Sequence, residues 1–463
     1  MIRLFTHYVS SRTVLLLTAE LLVLMLAAYV GIAFQTTIAH QPLLSYFAFS
    51  EIIGLALLML FVMACLGVYQ LDLWVSPKAT QIRMIIALLL GYLVAVVANL
   101  RFDELHPFEG YQLGVTLLVA FIGSSLVRFG FYRIGQRSDF KRRVLVLGTG
   151  SRVARFAEAA RRNKTQEVVG YVGPQTSDFH SPFLRLLPME QDESLCSIAE
   201  KHRIDEIVVA IRDRRDGGLP MQALLECKLR GFKITELASY FEREYRQVLL
   251  DSINPSWMVF GEGFNKGWVR GVVKRAFDVV ASLILLILTL PVMLIAAIGI
   301  ILEDGMPLFY KQERVGQHGR VFTIFKFRSM RKDAEKDGTP CWAAANDARI
   351  TRVGCIIRKL RIDELPQIIN VLRGDMSFVG PRPERPFFVD KLAQQIPYYL
   401  TRHSVKPGIT GWAQVRYAYG ASIEDTVEKL QYDLYYVKNH GLFLDLMTLI
   451  ATVEVVLWGK GAR

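Results

Sequence analysis

Four long apolar stretches fill the first 135 residues, Val14–Phe34, Ile52–Leu71, Met84–Leu100 and Leu113–Val127, and they leave this part of the chain little choice but a membrane bundle. A helix needs roughly 20 apolar residues to cross the bilayer core, and the third and fourth stretches are at the short end of that requirement. The flanking charges give the orientation. Arg3 and Arg12 precede the first stretch, and the loop Gln35–Ser50 after it holds no Lys or Arg. Lys78 and Arg83 separate the second and third, only Arg101 separates the third and fourth, and Arg128, Arg133, Arg137, Lys141, Arg142 and Arg143 follow. Cationic loops stay on the cytoplasmic side, so the pattern predicts an inside N-terminus, four crossings and an inside location for everything after Arg128. A buried helical core in a soluble protein is the competing reading, and it does not account for the alternation. The first stretch lacks a small-residue cleavage site followed by a soluble domain and reads as an anchor. Hydrophobic residues form 52% of the chain, with a mean hydropathy of +0.28, and the excess lies in these stretches.

Residues 1–135 are therefore expected to form a four-helix transmembrane domain, and residues 140–250 a Rossmann-like (CoA-binding-like) α/β domain. In the latter, Arg143–Leu147, Val168–Val172, Glu206–Ile211 and Phe232–Leu237 read as strands with helices between them, the pattern of a parallel sheet. The turn Gly148-Thr149-Gly150-Ser151 invites a dinucleotide reading, since glycines let a backbone approach a pyrophosphate. However, Val153 stands where a small residue is required, and Glu167 begins the second strand instead of ending it. A structural or regulatory domain that keeps only the tight turn is favoured.

A linker over residues 251–270, with Gly and Trp in Asn254–Trp268, leads to a fifth apolar segment over 271–303. Lys274 and Arg275 stand at its entrance and Pro291 near its middle, where a kink or break is expected. Lys311, Arg314, Arg320, Lys326 and Arg328 make the far flank as basic as the near one. Positive charge on both sides predicts a re-entrant helix that returns to the cytoplasmic face, with a full crossing as the alternative. Lys274 and Arg275 are placed to attract a lipid phosphate, each worth roughly 1 kcal/mol at an anionic surface.

Residues 304–463 carry the chemistry, in a domain expected to be mainly helical α/β. Short polar blocks crowd it: Tyr310–Gly316, Phe325–Met330, Asp347–Thr351, Ile362–Gln367, Gly380–Glu384 and Lys406–Gly411. Asp363-Glu364 alone reads as a solvated pair or a helix cap, with Asp363 as N-cap, Pro366 in the first turn and Gly374 at the C-terminal end. Its neighbours change the balance. Lys326, Arg328, Arg358 and Arg382 suit a phosphate clamp, because guanidinium matches phosphate oxygens in a fork. Carboxylates are natural ligands for Mg2+ beside a diphosphate, and one can also attack phosphorus to form an acyl phosphate.

In order and spacing these blocks resemble the bacterial sugar transferases known as monotopic phosphoglycosyltransferases, over about Val273–Arg463. The four crossings and the α/β domain make the whole chain similar to the large polyprenyl-phosphate glucose or galactose phosphotransferases. Within these, it looks most like sugar transferases of exopolysaccharide clusters linked to exosortase systems. The resemblance implies that Asp363 attacks the β-phosphate of a UDP-sugar with release of UMP, that Glu364 binds Mg2+, and that Arg358 and Arg382 contact phosphate. Polyprenyl (undecaprenyl) phosphate would then take the sugar phosphate from Asp363 in a ping-pong mechanism. The resemblance further implies a re-entrant fifth segment, a homodimer and a location in the bacterial inner membrane with the catalytic domain cytoplasmic. One departure is that many members place serine directly before the proline, where this chain has Leu290, with Thr289 one residue earlier.

Two other function classes compete with this one. A regulator or scaffold of polysaccharide export would need no intact Asp363-Glu364. A nucleotide-sugar oxidoreductase or dehydratase centred on Gly148 and Gly150 lacks a convincing Tyr-xxx-Lys pair. The net charge of +12 suits anionic lipid or substrate, but the basic residues form no long runs interleaved with aromatics, so nucleic acid is not a partner. Five scattered cysteines, Cys65, Cys196, Cys227, Cys341 and Cys355, contain no CxxC pair and indicate neither zinc nor disulfides. His318 and His403 read as structural, and Trp257, Trp268 and Trp412 as interfacial or packed. The last apolar run, Leu442–Trp458, contains Asp445 and Glu454 and is expected to be an interfacial or packed helix, since such charges are costly inside a bilayer.

Overall fold

The computed structural model describes residues 2–4, 7–38, 49–69, 77–101, 110–136, 141–162, 166–173, 183–188, 194–211, 219–253, 263–264, 267–331, 349–417, 420 and 422–458. Most of the linker read at 251–270 lies outside them, as do Asp347, Ala348, Cys341 and Trp257. The chain divides into two compact units: Ile122–Phe260 with Thr18–Glu20, and the segments Ile2–Leu17, Leu21–Phe121 and Gly261–Arg463.

Strands β1 (Ile2–Leu4) and β2 (His7–Val9) pair antiparallel ahead of four apolar helices, α1 (Ser11–Ile38), α2 (Phe49–Cys65), α3 (Pro77–Arg101) and α4 (Gly110–Gln136). Within α1, α3 and α4, the segments Ser11–Phe34, Lys78–Val97 and Gly114–Ile134 are long and apolar enough to cross a membrane. The 17 residues of α2 rise only about 26 Å. Its apolar run continues to Leu71, yet the helix stops at Cys65, because Gly67 takes a left-handed φ of 72° and the chain turns there. Ala27, Ala28, Ala56, Met59, Met63, Met84 and Ala87 fill the bundle core, and the small residues among them let helix backbones approach closely.

In the unit built on Ile122–Phe260, β3 (Arg142–Leu147), β4 (Gln166–Val172), β5 (Glu206–Val209) and β6 (Lys233–Glu236) form a parallel sheet of order β4-β3-β5-β6. The helices are α5 (Ser151–Arg162), α6 (Leu195–Lys201), α7 (Met221–Leu229) and α8 (Leu237–Tyr245). Side chains alternate along β3: Val144 and Val146 pack with Phe156 and Tyr240 of α5 and α8, Leu145 and Leu147 with Ile198 and Cys227 of α6 and α7. The glycine turn has a structural explanation. Gly148 has φ 138°, and a Cβ there would press on the backbone of Ala210 at 3.1 Å. Val153 is in the core, and Glu167 pairs with Arg143 at 3.2 Å. In the same unit the buried Glu20 accepts a hydrogen bond from Arg128 Nη2 at 2.9 Å, which neutralises a charge inside the apolar helices.

The C-terminal part of the other unit starts with α9 (Trp268–Asp304), a helix of 37 residues. Hairpin β7 (Phe309–Val315) and β8 (Val321–Phe327) follows, then α10 (Arg352–Lys359), a 3-10 turn at Ile362–Gln367 and α11 (Ile368–Arg373). Next come β9 (Ser377–Val379), α12 (Pro386–Gln395), a second 3-10 turn at Tyr399–Ser404 and β10 (Gly408–Thr410), which pairs parallel to β9. Helices α13 (Trp412–Arg416), α14 (Ile423–Asn439) and α15 (Leu442–Trp458) complete it.

Of the kink or break expected at Pro291, the break does not occur: helix α9 continues through that residue. Proline deletes one i→i−4 bond, and the long helical stretches on either side continue across the loss. Its middle is apolar and exposed, with Ile287 and Leu288 at 72% and 70%, while both ends pack on the C-terminal domain. Near the start, Arg275 donates to the carbonyls of Val371 and Leu372, the latter at 2.7 Å, closing the C-terminal end of α11. Near the finish, Ala296 and Ile300 pack with Phe327 and Ile357.

Of the two readings of Leu442–Trp458, the packed one holds, as Asp445 and Glu454 are both buried. Glu454 pairs with Arg83 of α3 at 3.0 Å, and Trp458 Nε1 donates to the Leu66 carbonyl at 3.2 Å. Ahead of α1, His7 is buried between Trp412, at 5.4 Å between ring centres, and Tyr435, whose hydroxyl lies 2.9 Å from Nδ1.

Candidate active site

Two polar blocks meet Asp363-Glu364 because the backbone brings them there. On one side, Asn370 of α11 fastens β8: its side chain accepts from Phe325 N at 3.1 Å and donates to the Thr323 carbonyl at 2.7 Å. That lays Lys326, the next residue of β8, across the 3-10 turn. On the other side, β9 and β10 draw the Gly380–Glu384 block against Lys406–Gly411. A Cβ on Gly380 would collide with the Lys406 carbonyl and one on Gly408 with Gly380 N, so both positions require glycine. Arg402 and Arg314 then hold the block, donating to the carbonyls of Arg382 (2.9 Å) and Pro383 (3.0 Å).

The turn itself opens on Arg361, whose φ of 60° is left-handed, and no side chain caps it. Asp363 therefore lies inside the 3-10 turn and is not an N-cap, which removes the local structural reading of the pair. Gly374 does close α11, with φ 94°.

The two carboxylates are treated very differently. Glu364 is buried, and its Oε1 accepts from Lys326 Nζ at 2.8 Å and Arg382 Nη2 at 2.9 Å, with Arg361 Nη1 3.7 Å from Oε2. Burial would raise its carboxyl, but Arg382, Lys326 and Arg361 outweigh it and hold the group well below the usual carboxylate range. Asp363 is partly exposed and its carboxylate makes no hydrogen bond among the described residues. Burial, with Glu364 beside it, pushes Asp363 up to about 6, although Lys326, Arg358 and Arg361 pull the other way. Burial also lowers Lys326, opposed by Glu364. The result is one locked anion and one unengaged carboxylate inside a ring of cations.

Of the predicted phosphate ligands, Lys326 and Arg382 meet at Glu364, and Arg358, in the last turn of α10, faces Asp363 closely enough to influence it. Arg328 is elsewhere. Its guanidinium binds the carbonyls of Asp304 and Gly305 and the Asp304 carboxylate at 3.2 Å, fastening β8 to the end of α9. Lys274 and Arg275 are likewise turned inward: Lys274 pairs with Asp278 (3.1 Å) and Asp445 (2.9 Å). They bind protein groups where a lipid phosphate was expected. The polar blocks of the sequence alone do not single out Arg361, Asn370 and Arg402, which the structure places at the site. Asn370 had a signal, as the one polar residue inside Ile368–Leu372; the other two sit among many basic residues.

For Mg2+, the described residues hold no group of three acidic or thiol/imidazole side chains. Two adjacent carboxylates, one with no hydrogen bond, nonetheless fit the habit of Mg2+ to take one or two protein carboxylates together with substrate phosphates.

The model of the family "Bacterial sugar transferase" matches residues 269–459, which contain every group just described. An uncharacterized sugar transferase of Bacillus subtilis (strain 168), EpsL, is 43% identical over 42% of this chain and 91% of its own length. The chain belongs to the bacterial sugar transferase family. Among further sugar transferases, a UDP-N-acetylgalactosamine-undecaprenyl-phosphate N-acetylgalactosaminephosphotransferase of Aeromonas hydrophila is 41% identical over 56% of this chain and 61% of its own. A UDP-glucose:undecaprenyl-phosphate glucose-1-phosphate transferase of Escherichia coli (strain K12) is 40% identical over 40% of each chain. The match thus spans about three-fifths and two-fifths of these two relatives. The site of the sugar transferase domain is assembled from α10, β8 and the β9–α12 connection, all inside the matched region.

Proposed function

We propose that this chain transfers a sugar-1-phosphate from a UDP-sugar to polyprenyl (undecaprenyl) phosphate, releasing UMP and starting an exopolysaccharide or other glycan. The observation that carries this reading is the division of labour between the carboxylates: Glu364 is locked among cations and Asp363 is left unengaged beside it. An Asp363 oxygen attacks the phosphorus that bears the sugar. The bond from that phosphorus to the oxygen bridging the diphosphate breaks, and UMP leaves with the electron pair. A phosphate oxygen of the polyprenyl phosphate then attacks the same phosphorus and expels the Asp363 carboxylate, which completes a ping-pong cycle. Arg358 and Arg382 hold phosphate oxygens, and Lys326 keeps Glu364 ionised and oriented. Glu364, with its Oε2, would hold Mg2+, whose contribution when bound is neutralisation of diphosphate charge.

The relatives' names supply the donor and acceptor classes, and they differ in the sugar. The α/β unit, with helices on both faces of its parallel sheet, is read as Rossmann-like. We further propose that the domain lies on the cytoplasmic face of the bacterial inner membrane, as a homodimer, with α9 re-entrant. Three contacts support the orientation. His7 before α1, Leu66 after α2 and Arg83 near the start of α3 all pack on the C-terminal domain, as expected if those loops share its side. Both ends of α9 also touch that domain. Single cysteines replacing the exposed Trp268 and Met306 are expected to react with an impermeant reagent from the same side; opposite-side labelling rejects the re-entrant helix.

The activity test is UMP release from a panel of UDP-sugars with polyprenyl phosphate and Mg2+, with mass spectrometry of Asp363 when acceptor is withheld. A phospho-sugar on Asp363 is expected. Because attack requires the ionised carboxylate, and burial beside Glu364 raises Asp363 to about 6, kcat/KM should fall as pH drops through that region. A flat profile between pH 5 and 7, or an adduct on another residue, rejects the assignment.

A further inference from the structure

Helix α9 grips the site from both of its ends. At the first, Asp278 is buried, and its Oδ1 accepts from Ser377 Oγ at 3.0 Å, Phe378 N at 3.1 Å and Lys274 Nζ at 3.1 Å. These bonds pin β9, which runs directly into Gly380 and Arg382. At the other end, Glu303 Oε1 accepts from Arg352 N at 2.7 Å and Oε2 from Val353 N at 2.8 Å. With Thr351 Oγ1 taking Gly354 N at 2.9 Å, three of the free N–H groups that open α10 are satisfied. The carboxylate also complements the positive end of that helix.

The consequence follows from length. Helix α10 has eight residues, too few to be stable alone, so its start must be held from outside. Its last turn carries Arg358, and after it the left-handed Arg361 turns the chain into Asp363. Wherever Glu303 fixes the beginning of α10, Arg358 and Asp363 are fixed too.

We infer that Asp278 and Glu303 are positioning residues that reference the active site to helix α9, Asp278 setting the Arg382 loop and Glu303 setting Arg358 and Asp363. This rests on Asp363 being the attacking group, since neither residue joins the Lys326–Glu364–Arg382 cluster. Displacing an attacking atom by about 1 Å can cost on the order of a hundredfold in rate.

The test uses the full chain in lipid nanodiscs. Glu303→Ala is expected to lower kcat for UMP release about 10- to 100-fold while KM for the UDP-sugar changes less than about twofold. Glu303→Gln, which keeps one acceptor oxygen, should recover part of the loss. Combined with Arg358→Ala, Glu303→Ala should add little, because both act on one arrangement. Amide hydrogen exchange across Arg352–Lys359 and Ile362–Gln367 should quicken in Glu303→Ala. Asp278→Asn should quicken it at Ser377–Val379 instead; as this residue is buried, the exposed Glu303 provides the decisive variant. Unchanged exchange across Ile362–Gln367 overturns the inference whether or not UMP is released. Unchanged kcat in an active enzyme does so as well. A wild type that releases no UMP but shows the exchange change defeats the transferase reading and leaves the positioning intact.

Discussion

Asp363→Asn is expected to lose UMP release by at least about 10³-fold, to form no phospho-sugar adduct, and yet to unfold at a higher temperature than the wild type near neutral pH. The loss follows from the attacking role proposed for Asp363, because an amide oxygen neither carries the charge nor can accept the phosphoryl group and leave again. The gain in stability follows from the direction of the shift. Burial and the neighbouring Glu364 raise the Asp363 carboxyl to about 6 from an ordinary 3.8, so the folded protein resists its ionisation. A raised carboxyl contributes stability that is fully present below about 3.8 and lost as pH climbs through about 6. The asparagine variant avoids that loss. After allowance for partial exposure, the benefit above pH 6 is about 1–2 kcal/mol, fading as pH falls toward 4. Thermal unfolding at pH 4 and pH 7.5 separates the cases. An inactive variant that is also less stable at pH 7.5 indicates misfolding and removes the support for a destabilised carboxylate at the site.

Arg83→Ala is expected to destabilise the protein by about 3 kcal/mol, because it takes the cation from beside a carboxylate with almost no contact with water. The Glu454 side chain is 2% exposed and Arg83 lies 3.0 Å away; the guanidinium also stacks over Trp458, 4.7 Å from the ring centre. Replacing both partners, Arg83→Leu with Glu454→Leu, should recover most of the loss, since an apolar pair of similar volume needs no desolvation of charge. Thermal inactivation of the single and double variants in nanodiscs decides it. Equal losses in Arg83→Ala and the double variant show that the ion pair does not carry the contact.

The active site was legible in its parts and illegible in its assembly. Asp363-Glu364, Lys326 and Arg382 could be picked out because acidic and basic side chains crowd short polar blocks there, the residue types that the proposed diphosphate donor would need. Arg328 has the same chemistry as Arg382 and an equally suggestive block, yet it ends on the carbonyls of Asp304 and Gly305. Side-chain direction separates them, and it depends on which groups nearby need a donor. Lys274 gives the same lesson. Its (i,i+4) partner Asp278 was visible along the chain, whereas Asp445, which draws it further inward, arrives from the final helix.

Membrane segments, the parallel α/β unit and the residue types of the site follow from local chemistry, because hydrophobic run length, charge alternation and strand–helix alternation are properties of neighbouring residues. Tertiary structure alone decided that α2 ends at a left-handed glycine, that α9 passes unbroken through Pro291, and that Asp363 stands free while Glu364 is locked. The last of these depends on Lys326 and Arg382, distant in sequence, whose fields and partnership with Glu364 arise only when the chain is packed.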